Sequence, residues 1–103
     1  STIKIWDVVS GKEIHSLKGH TFSVTSVCYS PDRQHLASGS EDKTIKIWDI
    51  VSGKEIYSLK GHRRCVDSVC YSPNGQYLAS GSEDNTIKIW DVVSGKEIHS
   101  LKA

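Results

Sequence analysis

The stretch SGSEDKTIKIWD, Ser38 to Asp49, returns as SGSEDNTIKIWD from Ser80 to Asp91, and its second half, TIKIWD, also stands at Thr2 to Asp7. The pairs Trp6-Asp7, Trp48-Asp49 and Trp90-Asp91 are therefore spaced 42 residues apart. Gly19-His20 with Gly61-His62, and Ser30-Pro31 with Ser72-Pro73, keep the same period. Residues 19–60 and 61–102 differ at only ten positions, and residues 1–18 match 43–60 almost throughout. A fixed period of this length marks an architecture of stacked repeats, each burying its faces on its neighbours. Copies this alike point to recently amplified or designed repeats.

Within the quoted stretch, Thr44-Ile45-Lys46-Ile47-Trp48 alternates with period two, the pattern of a strand. Upstream, His35-Leu36-Ala37-Ser38-Gly39-Ser40 is a strand whose side chains are too small for an open surface, joined to the first by a polar turn at Glu41-Asp42-Lys43. Further out, Val24-Thr25-Ser26-Val27-Cys28-Tyr29 is rich in β-branched residues and ends at the turn Ser30-Pro31-Asp32. The second copy turns at Pro73-Asn74-Gly75, where Asn-Gly favours a tight hairpin because both residues tolerate positive φ. Downstream, Val51-Ser52-Gly53-Lys54 is a turn and Glu55-Ile56-Tyr57-Ser58-Leu59 a fourth strand. Four short strands per unit, here lettered a to d from each Gly-His, with no helical period anywhere, predict an all-β fold. The chain reads c-d, a-b-c-d, a-b-c-d: a half unit over 1–18 and whole units over 19–60 and 61–103.

The composition narrows the function. The chain has 103 residues and a formal net charge of +1. That balance gives no reason to expect nucleic acid or an anionic membrane as partner, both of which need a clear positive excess. No apolar run approaches the ~20 residues that span a bilayer. The start has neither the basic nor the apolar region of a secretory leader, and a chain beginning at Ser1 is expected to be trimmed or part of a longer one. Three cysteines, Cys28, Cys65 and Cys70, form no disulfide framework, which fits a cytoplasmic protein. Cys28 and Cys70 occupy equivalent strand positions and are expected to be small buried hydrophobes; Cys65 is expected to be a partly exposed free thiol.

The ordered set Gly-His, Ser-Pro, Ser-Gly-Ser-Glu-Asp and Trp-Asp at fixed offsets resembles the WD40 repeat over the whole chain. The resemblance implies four-stranded antiparallel blades of a β-propeller and a hydrogen-bonded tetrad in each blade. By position the tetrads are His20, Ser38, Asp42 and Trp48, then His62, Ser80, Asp84 and Trp90. The indole N–H needs an acceptor, and a neutral histidine can accept at one ring nitrogen while donating from the other to a carboxylate. Trp6 has no such partners, because strands a and b of its blade are absent. Propellers have ~4–8 blades in a ring, so two and a half leave apolar faces and strand edges open. A homo-oligomer that completes the ring is therefore expected. Four chains would supply eight whole blades and four surplus c-d hairpins. Those hairpins pair with each other, displace the c-d hairpins of neighbours, or show the chain to be a fragment.

No catalytic, metal or cofactor site is expected. Ser-His-Asp recurs in each blade, but the resemblance directs the serine into the tryptophan network. His62, Cys65 and Cys70 invite a metal reading that strand alternation disfavours, and Glu41-Asp42 and Glu83-Asp84 lack the spaced oxygen ligands of a Ca²⁺ site. The glycines precede no helix that could cradle a phosphate. Lys4, Lys46 and Lys88, between strand isoleucines, are expected to be solvated or to extend their heads to water.

The resemblance implies a protein-protein interaction scaffold whose contact face surrounds the central channel. Four of the ten differences between the whole units fall where Thr21-Phe22-Ser23-Val24-Thr25 becomes Arg63-Arg64-Cys65-Val66-Asp67. Candidate contacts for a protein or peptide partner are Ser23, Thr25, Cys65 and Asp67 with Glu41 and Glu83, and the neighbouring Phe22 and Arg64 as anchors. The competing reading is a propeller fragment, engineered or recently amplified, whose only activity is self-assembly.

Overall fold

The computed structural model describes residues 2–102. Among the described residues ten strands follow one another without a helix: β1 (Thr2–Trp6), β2 (Glu13–Lys18), β3 (Val24–Tyr29), β4 (His35–Ser40), β5 (Thr44–Asp49), β6 (Glu55–Lys60), β7 (Val66–Tyr71), β8 (Tyr77–Ser82), β9 (Thr86–Asp91) and β10 (Lys96–Lys102). They form a two-stranded half sheet β1-β2, a middle sheet β3-β4-β5-β6 and a last sheet β7-β8-β9-β10, each an antiparallel meander. Short polar turns connect neighbours in sequence, so each strand pairs with the next one along the chain.

The turns explain the registers. Gly11, Gly53 and Gly95 close the β1-β2, β5-β6 and β9-β10 turns at φ of 73, 74 and 73 degrees, a conformation that costs glycine little. Between β7 and β8 only Gly75 takes positive φ; Asn74 does not. Its side-chain oxygen instead accepts the Gln76 amide (3.0 Å), an Asx turn that corrects the expectation of two left-handed residues. In the middle sheet Asp32 accepts the Gln34 amide in the same way (2.9 Å), and Arg33 holds the left-handed place at φ 62 degrees.

The core lies between sheets. Ile3, Ile5 and Leu17 of the half sheet pack on Leu36 and Trp48 of the middle sheet. Ala37, Ile45, Ile47 and Leu59, on the other face of the middle sheet, pack on Val66, Val69, Tyr71, Leu78 and Trp90. The second contact repeats the first and adds Ala37 of β4 and Cys28 of β3, because the middle sheet has inner strands that the half sheet lacks. At Gly39 the two sheets come so close that a Cβ would stand 2.7 Å from Val66 Cγ1. Polar ties recur as well: His15 Nε2 lies 3.1 Å from the Val51 carbonyl, and the Tyr57 hydroxyl, one repeat later, donates to the Val93 carbonyl at 2.7 Å. Lys4, Lys46 and Lys88 each reach a glutamate on the adjacent strand, Glu13, Glu55 and Glu97, at 3.0 to 3.1 Å.

Identical residues therefore meet unequal surroundings. Val27 and Tyr29 are 50% and 52% exposed, whereas Val69 and Tyr71, their counterparts, are each 8% exposed. Ile87 and Leu101 are 43% and 52% exposed, against 0% and 5% for Ile45 and Leu59. Trp6 is 52% exposed and Trp48 and Trp90 only 2%. The cysteines follow the same logic and correct one expectation. Cys28 is half-buried against the last sheet, but Cys70 is exposed, because it lies in a sheet with no further sheet packed beyond it.

Candidate functional site

The b-c turn of each whole sheet bends a carboxylate back toward the Gly-His segment. In the middle sheet His20 Nδ1 donates to Asp42 Oδ2 at 2.8 Å, which leaves Nε2 to accept the Ser38 hydroxyl at 2.7 Å. Ser38 Oγ in turn accepts the indole N–H of Trp48 at 2.9 Å. The last sheet repeats this with His62, Asp84, Ser80 and Trp90, at 2.9, 2.7 and 2.9 Å. Each carboxylate also takes bonds from the strand that follows: the Thr44 amide (2.9 Å) and hydroxyl on Asp42, and the Thr86 amide (2.9 Å) and hydroxyl on Asp84. The Thr21 and Arg63 amides complete the two sets.

Burial pushes the Asp42 carboxyl up, but the Thr44 hydroxyl, His20 and the Thr44 and Thr21 amides outweigh it and hold the group down at about 2. Burial likewise opposes ionisation of Asp84, and the Thr86 hydroxyl, the Arg63 amide, His62 and the Thr86 amide hold it well below the usual carboxylate range. Both aspartates are therefore fixed anions that orient their histidines. The connectivity Ser-His-Asp is that of a nucleophilic triad, yet Ser38 and Ser80 are buried and each hydroxyl is engaged by both its histidine and its tryptophan. The tetrads tie the Gly-His segment, strand b and strand c of one sheet together.

His62 is committed to its tetrad, while the thiols of Cys65 and Cys70 reach backbone carbonyls of Glu41 and Tyr71. Among the described residues no three metal-ligating side chains gather.

The candidate contact residues lie at the end carrying the d-a loops and b-c turns. Phe22, Ser23, Arg64, Asp67, Glu41 and Glu83 are exposed, and Cys65 is half-buried. The structure interlocks several of them: the Glu41 amide donates to the Ser23 carbonyl at 3.0 Å and the Glu83 amide to the Cys65 carbonyl at 3.1 Å. Thr25 plays a different part, since its hydroxyl reaches the Gly39 and Val66 carbonyls and so links the middle sheet to the last. Burial, then the charges of Glu83, Glu41 and Asp67, push the Cys65 thiol up, so it is held protonated and is a poor nucleophile. Sequence reasoning weighed only this end. Five of the ten differing pairs, 32/74, 33/75, 35/77, 50/92 and 57/99, belong to the opposite end, around the a-b and c-d turns. Counting differences by turn, not only by run length, is the signal that could have found them.

The family model described as WD domain, G-beta repeat, matches residues 11–49 and 53–91. The chain belongs to the WD40 family. Curated WD40-like relatives include nuclear distribution protein PAC1-2 of Uncinocarpus reesii, 46% identical over 43 residues, covering 42% of this chain and 9% of that protein. Lissencephaly-1 homolog 1 of Paramecium tetraurelia is 43% identical over 42 residues, covering 41% and 10%. Among solved structures, U3-55K superposes with a TM-score of 0.95 at 30% identity, over 99% of this chain and 33% of that one. The RRP9 WD40 repeats give 0.94 at 31% identity, over 99% and 32%. The chain thus spans about a tenth of the curated relatives and a third of the solved WD40 propellers. WD40 propellers are generally non-catalytic scaffolds that bind other proteins, and in this WD40 chain the ring is open.

Proposed function

We propose that this chain is a non-catalytic interaction module that completes its stack of blades with copies of itself and engages a protein or peptide through the d-a loop and b-c turn end. One observation carries the self-association: the exposed residues at the two ends of the stack repeat the two sides of a contact the chain already makes internally. Val27 and Tyr29, exposed, and Leu36 and Trp48, covered by β1-β2, repeat the face that Val69, Tyr71, Leu78 and Trp90 present to the middle sheet. Ile87, Ile89 and Leu101 repeat the face that receives them. A second copy placed head to tail would make the same contact once its own c-d hairpin, β9-β10, displaces β1-β2 from Leu36 and Trp48, and such a contact is heterologous and propagates toward a ring.

Gly81 provides the test. A Cβ at Gly39 would collide with Val66, whereas at Gly81 the nearest atom is Ser68 Oγ at 3.1 Å, because no sheet packs there. Gly81→Ala should leave the isolated fold intact yet obstruct the next copy. Light scattering should show a discrete oligomer for the wild type and a smaller species for the variant. A well-folded wild-type monomer of 11.4 kDa at high concentration would refute self-completion.

For partner binding, the exposed Phe22 and Arg64 flank the acidic groups Glu41, Glu83 and Asp67, a surface suited to a partner with basic and apolar residues. A partner retained by the wild type and lost with Phe22→Ala or Arg64→Ala supports this; retention unaffected by both refutes it. The alternative, a propeller fragment of engineered or recently amplified origin that only self-assembles, is favoured by one observation: residues 2–18 are identical to 86–102. It requires that no partner be retained specifically. We further propose a cytoplasmic location, consistent with three free cysteines.

A further inference from the structure

A cleft of about 580 Å³ opens between the middle and last sheets at the end opposite the d-a loops, within the ~300–1,000 Å³ range of ligand clefts. Both walls belong to complete blades, so it does not depend on closing the ring. Pro31, Ile56, Tyr57 and Val93 give it an apolar lining, with Asp32 and His35 beside them. Tyr57 donates its hydroxyl to the Val93 carbonyl and so braces one wall against the other.

Two polar groups in this cleft have unused capacity. Tyr71 is almost wholly buried and its hydroxyl has no hydrogen-bond partner among the described residues. Leaving such a donor unpaired in the interior carries a desolvation penalty, which an incoming acceptor would relieve. Asp32 is the only full charge among the lining residues. Its Oδ1 accepts the Ser30 hydroxyl and the Gln34 amide, so the carboxylate is held in place while Oδ2 has no partner among the described residues. The Ser30 hydroxyl, the Gln34 amide and nearby His35 keep this carboxylate ionised.

We propose that this cleft is a second binding site, for an extended peptide that places an apolar side chain between the blades, a backbone carbonyl on the Tyr71 hydroxyl and an adjacent Lys or Arg side chain on Asp32. The site is written in positions where the two copies differ. Asp32 and His35 become Asn74 and Tyr77 in the last blade, which changes both the charge and the bulk offered there. At the rim, Gly75 leaves space beside Pro31, where a Cβ would make contact at 3.4 Å. The middle blade has Arg33 at the equivalent place, in the same left-handed conformation. A cation at 75 would narrow the mouth and repel a basic ligand.

The test selects binders from a displayed random hexapeptide library on the immobilised full chain, then measures synthetic copies against variants. Enriched peptides should carry an apolar residue next to Lys or Arg. Tyr71→Phe keeps the ring and removes only the orphan hydroxyl, so its stability should equal or exceed that of the wild type. It should nevertheless weaken peptide binding about tenfold, the loss of one hydrogen bond. Gly75→Arg, whose backbone conformation Arg33 already shows to be accessible, should weaken binding at least as much. Phe22→Ala and Arg64→Ala, at the other end, should leave binding unchanged. Enriched peptides without the apolar-basic pair, or binding undiminished in both Tyr71→Phe and Gly75→Arg, would overturn the proposal. So would loss on Phe22→Ala or Arg64→Ala with the cleft variants silent, which would place the peptides at the d-a loop end.

Discussion

Trp6 and Trp48 occupy the same repeat position in nearly the same local sequence, so replacing each by alanine isolates what the neighbours contribute. Trp48 is 2% exposed and Trp6 52%, so half of an indole surface separates them. With ~200–250 Å² per tryptophan, that is about 100–125 Å², or ~2.5–3 kcal/mol at ~25 cal/mol per Å². The bond from Trp48 Nε1 to Ser38 adds roughly 1 kcal/mol. Trp48→Ala should therefore cost ~3–5 kcal/mol, the usual span for a buried aromatic, and Trp6→Ala about 1 kcal/mol. Urea denaturation followed by far-ultraviolet circular dichroism is the suitable assay, because fluorescence would change with the number of tryptophans. The protein concentration must be the same throughout, since association adds stability of its own. A difference below ~1 kcal/mol between the variants would refute the reasoning, as would a cost below ~1 kcal/mol for Trp48→Ala.

Ser38→Ala removes the atom shared by His20 and Trp48 and strands two buried groups; a loss of ~2–4 kcal/mol in the same assay is expected. Gly39→Ala forces a methyl toward Val66 and should cost ~1–3 kcal/mol, with Gly81→Ala near neutral when both are measured on dissociated chains. The pH dependence follows from Asp42, whose folded pKa lies near 2, below its ordinary 3.8. Its contribution is fully present above pH 3.8 and is lost as pH falls through about 2, so an acid titration should steepen in that window and flatten in Asp42→Asn.

The strands and sheets were legible because two periods, 42 along the chain and two within each strand, coincide. The tetrads were legible only through resemblance, since nothing in the spacing of His20, Ser38, Asp42 and Trp48 alone says that they meet. Burial was not legible. Cys28 and Cys70 lie in the same local sequence, and what separates them is a sheet packed on one and not on the other. Thr25 was expected among the partner contacts, but a register shift between Val24 and Ser26 coincides with its hydroxyl's reach toward the Val66 carbonyl. The cleft escaped for the same reason: Asp32, Tyr57 and Tyr71 are scattered in the chain and gathered by the stacking of two sheets.

The contact between neighbouring sheets reuses equivalent residues, Ile3, Ile5 and Leu17 in one and Ile45, Ile47 and Leu59 in the next, and that has a consequence for growth. Were copies to stack as proposed, each junction would bring equivalent residues together, so affinity alone could not say when enough have joined. Only the angle between successive sheets, accumulated until the first and last meet, would tell such a stack to stop. Under the proposed stacking each open arc would remain as adhesive as its predecessor, and the finished circle would be the first species with no apolar face left to offer.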